Sequence, residues 1–270
     1  MAEKSSSDRD PILSGPGSAS VDALASRALN LVAARNARLA NQLDYAAAAR
    51  LHDAAVGYSR EDVASVIADM RANGIAADVI ADLYIPHAAR VMGDEWCEDR
   101  MSFARVTIGT ARLQSALRGL GEHWSSYDAD VDPNDARAVI VIVVKDSFHT
   151  LGAMVLCGQL RRLGLSVRLS LGASDGELRT IFKSTEFDAA LISANESETL
   201  DSLRKVVELI RSTAASCPPI IVGGGILDLD IDVQSATGAD FATKDPIEAL
   251  KLCGLTKTIR KIAIPQQRRG

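Results

Sequence analysis

The sequence predicts an α/β fold: an N-terminal bundle of four to five helices, then a doubly wound parallel sheet of five strands. Three observations predict it. Ala138-Val-Ile-Val-Ile-Val-Val144 is a run of seven apolar, mostly β-branched residues, the pattern of a strand buried on both faces of a parallel sheet. Downstream of it, strand-like runs alternate with helical patterns, the rhythm of a doubly wound sheet. Upstream of it, apolar residues recur at helical spacing through an Ala-rich half of the chain.

The totals narrow the class. A chain of 270 residues suggests two domains. An apolar fraction of 47% and a charged fraction of 24% are ordinary for a globular protein. With only 4% aromatic residues the core must be largely aliphatic. A net charge of −5 argues against binding to a phosphate backbone. No recognition-helix pattern or zinc-finger spacing points to DNA either, so direct nucleic-acid binding is not expected. Cys97, Cys157, Cys217 and Cys253 are scattered and form no CxxC pair, which fits reduced thiols better than disulfides or zinc. No apolar run reaches the roughly 18 residues of a membrane span, and the N-terminus lacks the apolar core of a signal peptide. The expected compartment is the cytoplasm.

Taken in order, residues 1–20 are rich in Ser, Gly, Asp and Pro and read as a tail. A bundle is expected over 21–124. Val21, Leu24, Ala28, Leu31 and Val32 keep helical spacing, as does the Ala-rich stretch from Leu39 to Val56, with Asp44-Tyr45 near its start. Ser59 is the expected cap of a helix carrying Val63, Val66, Ile67 and Met70, which Asn73-Gly74 ends. The next helix, Ala77 to about Met92, contains Pro86, so a kink or break is expected there. Ser102 caps another, with Phe103, Val106, Leu113, Leu117 and Leu120 facing a core. Residues 125–135 hold four aspartates, a proline and an asparagine and read as a linker.

Over 136–256 the expected strands are Ala138 to Val144, Ser166 to Leu171, Asp188 to Ser193, Pro219 to Val222, and a short one near Asp240 to Ala242. Ser174 and Glu177 form a capping box opening one intervening helix. Helices follow from about Ser197 to Ala214 and from Pro246 to about Cys253. The end, 257–270, is basic and Gln-rich and is assigned nothing.

The chemistry concentrates at the carboxyl ends of the strands, where open α/β sheets bind ligands. Lys145-Asp-Ser-Phe-His149-Thr-Leu-Gly152 follows the first strand directly. His149 there reads either as a satisfied structural histidine or as a ligand. Ser147 with Gly152, Ser193-Ala-Asn195 and Gly223-Gly-Gly225 put small residues at three strand ends, which leaves a slot for a slender ligand. Tight-turn geometry is the competing account of the three glycines. The pattern is neither GxGxxG nor a Walker A loop.

A helical bundle, an acidic linker, a strand–HxxG–helix unit, a strand-end Ser and a strand-end Gly pair together resemble the cobalamin-binding module, a Rossmann or flavodoxin-like domain. The usual motif there is DxHxxG, with SxL and GG further on. The resemblance implies cobalamin as cofactor, with His149 as the axial cobalt ligand in place of the dimethylbenzimidazole base. It places Gly152 on the motif glycine, Ser193 on the SxL serine, and Gly223-Gly224 on the GG pair. Ser147, Phe148, Thr150 and Asn195 would then line the site. Gly93-Asp-Glu-Trp96 and Ser102-Phe-Ala-Arg-Val-Thr are similar to the cap helices of corrinoid proteins and B12-dependent light sensors, which implies that Trp96 covers the upper face of the corrin. A plain core role is the alternative for Trp96.

The nearest resemblance is to the cobalamin-binding antirepressors of purple photosynthetic bacteria, the PpaA/AerR type, over nearly the whole chain. Tyr84-Ile-Pro-His-Ala-Ala-Arg90, Met101-Ser-Phe-Ala-Arg-Val-Thr-Ile-Gly109 and the His149 loop carry it. It implies a cytoplasmic, non-enzymatic transcriptional regulator. Such a regulator binds cobalamin and relieves a repressor of photosystem genes, the PpsR/CrtJ type, by protein–protein contact in response to light or redox state. A corrinoid carrier of a methyltransferase system is the alternative, and a cobalamin-free interaction module is a third.

The sequence departs from the pattern at three places. Ser147 stands where the motif has aspartate, a weaker partner for the imidazole, which implies a more labile cobalt bond. Asn195 replaces the Leu of SxL. Cys97 and Val106-Thr107 stand where light sensors have a second histidine, leaving His87 or the Cys97 thiolate as substitutes, against ordinary packing roles for both.

Overall fold

The computed structural model describes residues 43–58, 61–121, 137–145, 147 and 149–255. The expected tails, the linker, the helix from Val21, the Ser59 cap and Phe148 lie outside the described residues.

The bundle is built from capped helices. The Asp44 carboxylate accepts the Ala46 and Ala47 N–H groups at 2.8 and 3.3 Å, opening α1 (Tyr45–Val56). Gly57, at φ 79°, ends it in the left-handed region. Helix α2 (Val63–Ala72) is capped by Asp62, which accepts from Ser65 N at 2.7 Å. The capping oxygen thus comes from the residue immediately before Val63.

Pro86 neither breaks nor ends its helix. A short α3 (Ala77–Val79) passes into a π-helical turn (Ile80–Tyr84) and on into α4 (Ile85–Cys97), with helical dihedrals throughout the junction. Within the turn the Ile85 N–H reaches back five residues to the Ile80 carbonyl. The extra residue re-partners the carbonyls that a proline leaves without a donor.

Helix α5 (Phe103–Gly119) starts at Ser102, whose hydroxyl accepts from Arg105 N at 3.4 Å. Leu113 and Leu117 are fully buried against Leu51, Ile80, Tyr84, Ile85 and Met92. A Cβ on Gly109 would lie 2.4 Å from Met92 Sδ, so glycine lets α5 approach α4 closely. Phe103 does not face this core: it is 63% exposed at the first turn of α5.

The second half is the expected sheet. Strands β1 (Ala138–Val143), β2 (Ser166–Leu171), β3 (Ala189–Ser193), β4 (Ile220–Gly223) and β5 (Phe241–Ala242) are all parallel, in the order β2-β1-β3-β4-β5. In β1, Val139, Val141 and Val143 join one core while Ile140 and Ile142, with Val144 just after the strand, join the other. Helices α6 (Leu151–Arg162) and α10 (Pro246–Leu252) cover the first face. Helices α7 (Asp175–Ser184), α8 (Leu200–Thr213) and α9 (Val233–Thr237) cover the second. Ser174 and Glu177 form the reciprocal capping box of α7.

Bundle and sheet meet on α6. Leu151 and Val155, one turn apart, belong to the bundle core; Ala153, Cys157 and Leu160 pack on the sheet. Arg162 near the end of α6 forms an ion pair with Asp82 on the π turn, both largely buried. Burial raises the Asp82 carboxyl above its ordinary value, and the Arg162 charge offsets this only in part.

Replacing Arg162 by Met should cost about 3 kcal/mol at neutral pH, because it leaves a buried carboxylate without its cation. The native state holds the Asp82 proton more tightly than the unfolded chain does. Its contribution therefore favours folding at low pH and fades as pH rises through the raised value. The loss measured by urea unfolding should accordingly shrink when the experiment is repeated at acidic pH. A pH-independent loss would contradict this account.

Candidate functional site

In the order 2-1-3-4-5 the chain changes direction between β1 and β3, and the crevice at their carboxyl ends is the topological switch point. The loop leaving β1 carries Ser147 and His149 into that crevice. Ser147 N–H bonds the Val144 carbonyl at 3.3 Å, and His149 N–H bonds Ser147 Oγ at 3.3 Å. The turn therefore closes on the serine hydroxyl. His149 is exposed, and its imidazole has no hydrogen-bond partner among the described residues. A satisfied core histidine is ruled out by that exposure. Gly152, in the first turn of α6, is exposed as well, and a Cβ there would meet no atom within 4 Å.

The loop leaving β3 is tied to the loop leaving β1. The Ser147 hydroxyl donates to one oxygen of Glu198, and the other oxygen accepts the Asn195 N–H. Nothing in the sequence pattern marked Glu198, which lies three residues beyond Asn195 and matches no motif position. Thr150 Oγ1 accepts a hydrogen bond of 2.8 Å from Gln114 Nε2 on α5, so the bundle reaches the residue next to His149.

The three glycines after β4 have a local explanation. Ser193 sits opposite Gly223 in the register, and Ala194 N–H bonds Gly223 O at 2.8 Å. Gly224 has φ 103°, and a Cβ there would fall 2.2 Å from Ala194 O. A Cβ at Gly223 would lie 2.6 Å from Thr243 O, and one at Gly225 would lie 2.5 Å from Asn195 Oδ1. Protein already fills the space that side chains would take, so tight backbone approach, rather than a slot, accounts for these glycines. The open space lies over Gly152 and His149.

On the bundle, Trp96 is 45% exposed and leans on Phe103, ring centroids 6.0 Å apart at 55°. A plain core role for Trp96 does not hold. Phe103 and Gln114 are 11 residues apart, about three turns or roughly 16 Å along α5 and on the same side. That face of α5 therefore runs from the aromatic pair down to the Thr150 contact. The corner carrying Trp96 is braced by a histidine the sequence reading passed over. His52 is 8% exposed, with Nε2 3.0 Å from Glu95 and Nδ1 3.1 Å from Asp53.

His87 lies nine residues before Trp96, half a turn round the rod. It meets Tyr45 edge-on at 6.3 Å, and burial lowers its basicity. Cys97 is exposed beside Trp96. Among the described residues no group of three or more His, Cys, Asp or Glu side chains could hold a metal ion. Two depressions, about 710 and 420 Å³, lie at the amino ends of β4 and β5 and beside β2, away from His149. No helix among the described residues is long and apolar enough to cross a membrane.

The monomethylamine corrinoid protein of Methanosarcina barkeri superposes with a TM-score of 0.58 at 15% identity, covering 77% of this chain and 96% of that one. A cobalamin-binding protein from Desulfitobacterium hafniense aligns over the same shares at 16% identity with a TM-score of 0.39. This chain has the fold of the Methanosarcina barkeri protein, a helical bundle followed by a five-stranded parallel α/β domain.

No protein-family model matches the chain. A Rhodobacter capsulatus protein described as an uncharacterized 20.5 kDa protein in the bchF-crtJ intergenic region is 34% identical over 178 residues, which is 66% of this chain and 91% of the relative. The chain belongs to the family of that protein.

The two kinds of glycine should separate on substitution. Gly224→Ala, with its positive φ and backbone clash, should lose about 2 kcal/mol or more in thermal unfolding. Gly152→Ala, on a helix with free space, should be neutral or stabilising by up to about 1 kcal/mol. Equal losses at both sites would refute the distinction.

Proposed function

We propose that this chain is a cobalamin-binding, non-enzymatic transcriptional regulator in which His149 is the axial ligand of cobalt. The single observation carrying the reading is an exposed imidazole at the β1/β3 switch point, without a partner among the described residues and with free space over Gly152 beside it. The donor set fits a corrinoid. Among the described residues the site offers one imidazole and no cluster of further donors, which suits a metal whose equatorial ligands come from a macrocycle. Bound cobalamin would supply an axial position that responds to light or to the oxidation state of cobalt.

The chain's own residues would do the rest. His149 would hold the cobalt, Ser147 and Thr150 would fix the loop, and Ser193, Asn195, Gly223 and Gly224 would wall the crevice. Trp96, backed by Phe103, would cover the macrocycle from the bundle. Because Gln114 grips Thr150 next to the ligand, a change at His149 would be felt by α5. Ligand binding can favour one packing of bundle on sheet only through different affinities for the two packings.

The regulatory part rests on kinship. The relative's gene lies between bchF and crtJ, and crtJ gives its name to the repressor type that the sequence resemblance implies as partner. We therefore read the protein as an antirepressor acting by contact on a PpsR/CrtJ-type repressor, without touching DNA itself, in keeping with a net charge of −5. A corrinoid carrier of a methyltransferase system is the second reading, favoured by the likeness to the monomethylamine corrinoid protein. It predicts methyl cycling with a partner enzyme, whereas the regulator predicts none.

Reconstitution with hydroxocobalamin should give a coloured protein whose visible spectrum differs from that of His149→Ala. The variant should retain at least about tenfold less corrinoid, equivalent to about 1.4 kcal/mol. Identical spectra and retention would remove His149 as the ligand. Capture of a PpsR/CrtJ-type repressor should depend on cobalamin and on light or reductant; equal capture under all conditions would count against the antirepressor role.

A further inference from the structure

The position that the binding motif gives to an aspartate is occupied by Ser147, yet a carboxylate is present one bond further out. Glu198 reaches from the loop after β3 with both oxygens engaged: one accepts the Ser147 hydroxyl, the other the Asn195 N–H. A serine hydroxyl has one hydrogen and two lone pairs. Here the hydrogen is given to Glu198, which leaves the oxygen as an acceptor facing the His149 turn, where it already takes the His149 N–H at 3.3 Å. A hydroxyl that donates to a carboxylate becomes a better acceptor itself, because hydrogen bonds in a chain polarise one another. Glu198 is also held in place, since its own N–H bonds the Asn195 carbonyl at 3.1 Å.

We propose that Glu198 is a positioning residue that acts through Ser147 to fix the backbone turn carrying His149, and with it the orientation of the ring. The role rests on the reading of His149 as the cobalt ligand. A ligating imidazole is normally steered by a hydrogen bond from its other nitrogen to a carboxylate or carbonyl, and loss of that partner typically weakens metal binding about 10- to 100-fold. In this chain the carboxylate comes from a different strand end, through a hydroxyl that accepts the backbone N–H of His149 and so fixes the turn that carries the ring. The arrangement makes His149 sensitive to the β3–α8 loop as well as to its own.

The test uses the full chain reconstituted with hydroxocobalamin, and reads three quantities. These are corrinoid retained after gel filtration, nitrogen splitting in the electron paramagnetic resonance spectrum after dithionite reduction, and melting of the cofactor-free protein. Glu198→Gln should lower retention about tenfold and weaken the histidine-derived splitting. Ser147→Ala, which breaks the chain in its middle and leaves the Glu198–Asn195 bond alone, should reproduce the defect with melting unchanged. The double variant Ser147→Asp/Glu198→Gln should restore retention and splitting by placing a carboxylate directly beside the ring. Wild-type behaviour of Ser147→Ala, or a Glu198→Gln defect that Ser147→Asp does not repair, would reduce Glu198 to a loop brace and overturn the proposal. If the wild-type chain retains corrinoid and His149→Ala retains as much, or if neither retains any, the ligand reading falls, and the Glu198 role with it.

Discussion

Helix α6 is buried from two directions, and the placement of everything around His149 follows from it. Ala153, Cys157 and Leu160 fix the helix to the sheet, while Leu151 and Val155 are part of the bundle's own core. The helix begins directly after the loop that holds His149, so the same packing that joins the two halves also sets where the imidazole starts. A helix with one apolar stripe could serve only one of these partners. The sequence supplies two stripes by keeping apolar residues at nearly every position from Leu151 to Leu160, with Gly152, Gly158 and Gln159 as the exceptions.

Polar contacts then lock the ends of this seam. Asp82 and Arg162 close the C-terminal end of α6, and Gln114 with Thr150 closes the N-terminal end. The first lies in a desolvated place where burial raises the Asp82 carboxyl, so it is costly to break and specifies one docking. The second is a neutral pair beside the exposed crevice and is cheaper to exchange. The stiffer contact thus lies away from the proposed ligand and the softer one lies against it.

How much of this could be read from the chain depends on the range of each interaction. The sheet was legible because β1 is buried on both faces and its neighbours keep strand periodicity; the observed strands fall within a residue or so of the expected ones. The capping box at Ser174 and the cap at Ser102 were legible because capping is local. The His149 loop was legible because a strand–turn–helix boundary is local too. What escaped is what the chain brings together from afar. Glu198 meets Ser147 across 51 residues, Gln114 meets Thr150 across 36, and His52 meets Glu95 across 43. No spacing rule spans such separations. Phe103 was misplaced for a different reason: it sits about 80° round α5 from Leu113, and the described residues leave its ring 63% exposed. The break foreseen at Pro86 does not occur because a proline's missing donor is absorbed by a π turn upstream, which leaves no mark in composition.

The glycines show why chemistry should be argued from contacts and not from residue type. Gly152 and Gly224 are equally small and both matched motif positions. One borders open space; the other is pressed against Ala194 by the meeting of two strand ends. The close approach at Gly223 to Gly225 still bears on the crevice, because it pulls the β3 loop inwards and so presents Asn195 and Glu198 to the β1 loop. Without that approach the Glu198 carboxylate would have no fixed position from which to reach Ser147. The glycine triplet therefore bears on the β1 loop at one remove: it shapes the wall that carries Glu198, the partner of Ser147.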